Sequence, residues 1–160
     1  MSGPRLGGRL RAVLALVPAE AHRVADVGAG HGALSAHLAA AGVPTVIATE
    51  SQDGPLAELC RNLDAWEARE RVDVRRGSGL APLRTDEVDA VVVSGVSART
   101  ALAMCADAGR KKVRWMVLQC MQGTDQVEPW MRANGWQVLT RVDAQAGRRR
   151  YPIWLVEVPR

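Results

Sequence analysis

The segment Val24–Ala39, VADVGAGHGALSAHLA, restricts the fold more than any other. A short apolar run carrying Asp26 leads directly into glycines at 28, 30 and 32, and a helix-forming run of Ala and Leu begins at once. A strand, a glycine turn and a helix joined this tightly form a unit whose helix folds back on its own sheet, so the next strand enters parallel to the first.

The same alternation continues along the chain. Leu6, Leu10, Val13, Leu14 and Val17 recur at helical spacing until Pro18, so a helix precedes the unit. Strands are predicted at 22–27, 45–50, 71–77, 87–95 and 113–120. Helices are predicted at 32–42, 54–68, 98–108 and 124–135, with Pro55 in the first turn of the second, Thr124 as a cap of the last and Gly135 just past its end. The centre of 87–95 is almost wholly apolar, as a strand covered on both faces requires. Two late strands, 136–145 and 148–159, turn around Gly147 as a hairpin. The expected architecture is one α/β domain over residues 1–160. It is a Rossmann-like doubly wound seven-stranded sheet, mostly parallel, with an antiparallel strand in its C-terminal hairpin.

Composition narrows the setting. The chain has 160 residues, enough for one domain with a real core, and Lys plus Arg exceed Asp plus Glu by 21 to 17. The net charge of +4 permits contact with nucleic acid without requiring it. Cys60, Cys105 and Cys120 are odd in number and lack C-x-x-C spacing, which suits reduced thiols of a cytoplasmic protein. No apolar run approaches a membrane span, and no His, Cys and carboxylate spacing suggests a metal site. The basic, then apolar, N-terminus reads as a packed helix because Arg9 and Arg11 interrupt it.

In an open parallel sheet, ligands bind beyond the carboxyl ends of the strands, and the glycine turn lies there. Its pattern is D-x-G-x-G-x-G. Ala33 occupies the position where a dinucleotide loop wants its third glycine. The pattern suits S-adenosylmethionine, while a dinucleotide loop that tolerates Ala keeps a nicotinamide-dependent oxidoreductase as an alternative. Glu50 ends the second strand, where a carboxylate can accept from both ribose hydroxyls of either ligand. Ser78 and Gly79 follow the third strand at the height of an adenine ring, and Ser94 and Gly95 follow the fourth near a reacting methyl. The expected cofactor-binding set is Asp26, Gly28, Ala29, Gly30, His31, Glu50, Ser51, Ser78, Gly79, Ser94 and Gly95. The closing antiparallel hairpin favours a methyltransferase over a dehydrogenase.

On these residues the chain resembles the bacterial tRNA (adenine-N1)-methyltransferases of the TrmK type. The resemblance spans nearly the whole chain, through "RLRAVLALVP", "VADVGAGHGALSAHLA", "IATE" with "GPLA", "RVDVRRGSGL", "VDAVVVSGVSA", "VLQ" and "WMRANGW". It implies S-adenosylmethionine as cofactor, tRNA as substrate and matching family positions at Asp26, Gly28, His31, Glu50, Gly54, Pro55, Gly77, Gly79 and Gly95. The chain departs from the family mainly where the acceptor is handled, and also at one acid that can contact the cofactor adenine. Gly30 stands before His31 in place of an acid, Ser78 replaces the acid of "GDGL", and "SGVSA" replaces "AGMGG". Cys120 and Met121 occupy the Pro and Asn of "LQPN". The family's C-terminal helical tRNA-holding domain is not expected within these 160 residues.

Methyl transfer from a sulfonium rests chiefly on alignment, so few acid–base residues are needed. The candidates for the chemistry are His31, Ser94 and Gln119, with Ser94–Ala98 and Gln119–Met121 framing the acceptor. Arg75, Arg76, Arg148, Arg149 and Arg150 are candidate phosphate contacts, as is the run 109–114. Of the five tryptophans, Trp66 alone sits among polar neighbours, free to stack on a base. A non-catalytic relative that binds the cofactor, RNA or a protein partner is the other reading the departures leave open.

Overall fold

The structure is a computed structural model that describes residues 3–160. Its elements run α1 (Gly8–Leu16), β1 (Arg23–Val27), α2 (Ala33–Ala40), β2 (Thr45–Glu50), α3 (Asp53–Ala65), β3 (Val72–Arg76), β4 (Ala90–Ser97), α4 (Ala98–Ala108), β5 (Trp115–Gln122), α5 (Val127–Ala133), β6 (Gln137–Ala146) and β7 (Arg149–Glu157). The strands form one seven-stranded sheet in the order β3-β2-β1-β4-β5-β7-β6. The first five are parallel and the C-terminal hairpin is antiparallel, as expected from the sequence; β7 inserts between β5 and β6.

The order reverses between β1 and β4, so both strands deliver their carboxyl ends to a crevice at the middle of the sheet. Two apolar layers close the faces. Val24, Val46, Ala90, Val92, Val117 and Ile153 pack with Val13 of α1, Leu34 and Leu38 of α2, and Leu59 and Leu63 of α3. The opposite face packs Val27, Ile47, Val91, Val93, Met116 and Trp154 against Ala101 and Cys105 of α4 and Met131 of α5. Alternate residues of each central strand therefore point into different layers, and both layers are apolar.

The fold refines several boundaries. The last predicted helix divides: residues 124–126 form a 3-10 turn and α5 begins only at Val127. Thr124 makes no side-chain cap; Gly123, in the left-handed region, starts the turn instead. The fourth strand runs to Ser97 rather than Gly95, because β4 bulges opposite β5 between Ser94 and Ser97. Such irregularities re-aim the backbone beside functional sites, and this one lies at the carboxyl edge.

Candidate active site

A cleft of about 560 Å³ opens at the crevice between β1 and β4, lined by Asp26, Gly28, Ala29, Gly30, His31 and Ser94 of the expected set. The glycine loop leaves β1 and turns over the sheet, held by the Ala29 N–H donating to the Thr49 carbonyl at 2.9 Å. Gly28 has φ +71° and open space where a Cβ would stand, so a side chain there would project into the cleft rather than into protein. Gly32 answers to packing instead. A Cβ on it would meet Leu59 Cδ1 at 2.5 Å, so its φ of +84° and bare Cα let α2 close on α3.

Two carboxylates flank this loop: Glu50 braces it, and Asp26 ties β1 to α2. Glu50 Oε2 accepts from the Gly30 N–H at 3.2 Å, and its Oε1 accepts from the Ser51 and Gln52 N–H groups at 3.1 and 3.4 Å. Asp26 is buried and accepts from Ser35 Oγ at 2.7 Å. Burial pushes the Asp26 carboxyl up to about 6, against the Ser35 hydrogen bonds that lower it, with the nearby Glu50 charge adding to the rise. A buried acid held this way beside an open cleft is suited to a cationic ligand group.

His31, though it lines the cleft, is exposed and its Nδ1 lies 2.7 Å from Glu58 Oε1 of α3. The remaining expected residues scatter. Ser51 is exposed beside Glu50. Ser78 and Gly79 line a second cavity of about 510 Å³ with Arg99, Thr100 and Met104 of α4. Gly95 donates its N–H to Gln119 Oε1 at 2.9 Å. Gln119 is fully buried, and its amide oxygen also accepts from Ser94 Oγ at 3.1 Å and from Arg9. Its amide is thus consumed within the protein and has no oxygen free to hold an acceptor base. Cys120 is buried with its thiol pushed up to about 11 by desolvation, while Met121 is exposed at the carboxyl end of β5.

Three contributors, Arg9, Pro4 and Arg5, escaped sequence reasoning. Arg9 lies one turn before the buried Val13, on the inward face of α1, and reaches the cleft beside Ser94. Its position within an apolar helical stripe was the available signal. Pro4 and Arg5 also line the cleft, and the Pro4 carbonyl is bonded to His37 Nε2 of α2. Trp66 caps α3, half-buried against the core, with one side lining the same cleft.

The basic clusters separate by edge of the sheet. Gln119 of β5 pairs with Ile153 of β7, so the exposed Arg148, Arg149 and Arg150 lie beyond the carboxyl edge, on the side of the cleft. The 109–114 run connects α4 to the start of β5, at the opposite edge. Arg75 is bound by Asp73 Oδ2 at 2.8 Å and Glu87 Oε1 at 2.6 Å, and Arg76 pairs with Asp53 at 3.0 Å. Arg75 is therefore a fastener of the 78–87 loop rather than a free phosphate contact. No helix among the described residues is long and apolar enough to cross a membrane.

Strand order, terminal hairpin and cleft together define a Rossmann-like methyltransferase domain. The chain belongs to the methyltransferase domain family, which matches residues 6–154. It is 24% identical to the tRNA (adenine(22)-N(1))-methyltransferase of Bacillus subtilis, an alignment covering 98% of this chain and 67% of that protein. Among solved structures it superposes with a TM-score of 0.89, at 26% identity, on a putative tRNA (m1A22) methyltransferase of Streptococcus pneumoniae in complex with S-adenosyl-L-methionine, covering 98% of this chain and 74% of that one. TrmK of M. capricolum, in complex with S-adenosyl-homocysteine, superposes with a TM-score of 0.85 at 16% identity over 97% of this chain and 70% of that one, a likeness of fold alone. The chain spans about two thirds of the length of the Bacillus subtilis relative. Family membership removes the oxidoreductase alternative.

Proposed function

We propose that this protein is an S-adenosylmethionine-dependent methyltransferase that acts on N1 of an adenine in tRNA. The observation that carries the reading is the cleft at the β1–β4 crevice, where Asp26, the glycine loop and Ser94 converge. The residues present fit the cofactor: open space over Gly28 for close approach, a buried acid at Asp26 for an ammonium, and Glu50 beside the loop for ribose hydroxyls. S-adenosylmethionine, when bound, supplies a methyl group on an already activated sulfonium.

The chain's own part is alignment. Adenine N1 attacks with a ring lone pair, the sulfonium leaves as a thioether, and the charge passes to the methylated base, so no proton has to move in the transfer step. Loss of the family's loop acid at Gly30 is compatible with that chemistry, since orientation supplies most of the rate. Met121 at the end of β5 and Trp66 at the cleft wall offer apolar surface to a base. Arg148, Arg149 and Arg150, on the cleft side of the sheet, are the proposed phosphate contacts.

The test is calorimetric titration with S-adenosylmethionine, S-adenosylhomocysteine and NAD, followed by labelled methyl transfer to unmodified tRNA. Micromolar binding of the two adenosyl ligands, no binding of NAD, and loss of binding in Gly28→Val are expected. Absence of adenosyl binding overturns the reading. Binding without transfer to tRNA leaves a cofactor-binding protein and overturns the acceptor assignment.

A further inference from the structure

The cleft contains a guanidinium whose anchoring leaves one edge free. Arg9 Nη1 donates to Ser94 Oγ at 2.8 Å and to Gln119 Oε1. Those two bonds consume both N–H groups of Nη1. The Nε and Nη2 groups donate to no protein atom among the described residues, and no carboxylate there forms an ion pair with Arg9. The Nε–Nη2 edge is the one with two parallel N–H groups, and its natural partner is a carboxylate.

The anchor is itself rigid. Gln119 is fully buried, its oxygen accepts from Arg9, Ser94 Oγ and the Gly95 N–H, and its Nε2 donates to the Cys120 carbonyl at 3.1 Å. A neutral amide fixes the guanidinium without neutralising it, where a glutamate would cancel the charge. The cleft is already lined by one acid suited to an ammonium, Asp26, and Glu50 is bonded to its glycine loop through the Gly30 N–H. Its lining cations are Arg5 and Arg9, and of these Arg5 is exposed with no side-chain anchor among the described residues, while Arg9 is bound to β4 and β5.

We propose that Arg9 receives the carboxylate of the cofactor's amino-acid end, and that Gln119 is the positioning residue that holds Arg9 for it. The proposal rests on the cofactor reading given above. It makes α1 part of the binding site rather than a cover on the sheet.

The experiment compares S-adenosylmethionine with its decarboxylated form, which lacks the carboxylate and keeps the ammonium, by calorimetry on the wild type, Arg9→Met, Arg9→Lys, Arg5→Met and Gln119→Leu. Arg9→Met should weaken S-adenosylmethionine by about 10- to 100-fold, the scale of a charged hydrogen-bonded pair, and leave the decarboxylated ligand within about threefold. Arg9→Lys should recover part of the difference. Gln119→Leu should lose the same discrimination between the two ligands, a readout that a general loss of stability does not move. Equal weakening of both ligands in Arg9→Met, or discrimination lost in Arg5→Met instead, overturns the proposal. A wild type that binds both ligands equally overturns it while leaving the cofactor reading intact. A wild type that binds neither removes both.

Discussion

Asp26 should cost this protein stability at neutral pH. Its carboxyl is buried, receives one side-chain hydrogen bond from Ser35 and lies near the Glu50 charge, and its pKa rises from an ordinary 3.8 to about 6. The folded state therefore holds this proton more tightly than the unfolded chain does. Between about pH 4 and 6 the folded form carries the proton and the unfolded form has lost it, so stability falls as pH rises through that window. Above it the full cost applies, about 3 kcal/mol for a displacement of this size. Asp26→Asn keeps an oxygen to accept from Ser35 and removes the charge. Urea unfolding at pH 7.5 should find the variant about 2–3 kcal/mol more stable than the wild type, with the gain shrinking towards zero near pH 4. Under the proposed function the same variant binds S-adenosylmethionine more weakly, a trade of function for stability. A variant less stable at pH 7.5, or one whose gain is the same at pH 4 and 7.5, would refute the reasoning.

Two further outcomes follow from packing. Gly32→Ala forces a Cβ to 2.5 Å from Leu59 Cδ1 at a φ of +84°, and should lose about 2–4 kcal/mol by urea unfolding, whereas Gly28→Ala, at φ +71° with nothing within 4 Å, should lose only the backbone cost of about 1–2 kcal/mol. Cys105 and Cys120 are buried with thiols pushed up to about 12 and about 11, so an aromatic disulfide reagent at pH 8 should titrate only the half-buried Cys60 quickly in the native protein, and all three thiols in denaturant.

Much of this protein was legible without coordinates, and the reason is local. A strand that must be buried on both faces reads as an unbroken apolar run, as at Val91–Val93, and a turn at the end of such a strand announces itself through glycine, as at 28, 30 and 32. The α/β class, the seven strands, the closing hairpin and the location of the cleft all derive from such signals. Boundaries were less secure: the split at Val127 and the β4 bulge depend on how neighbouring elements meet, which no window of sequence contains.

The chemistry of individual side chains belonged to the tertiary structure. Gln119 and Arg75 look like free polar groups in the sequence. Folding commits one to Arg9, Ser94 and Gly95, and the other to Asp73 and Glu87. Arg9, 110 residues before Gln119, enters the cleft only because α1 packs across the sheet. Periodicity and turn chemistry are properties of neighbouring residues, so the sequence by itself determined the elements and their order. Hydrogen-bond partners and burial are properties of distant residues brought together, so only the packed chain decided which polar groups remain free for a ligand.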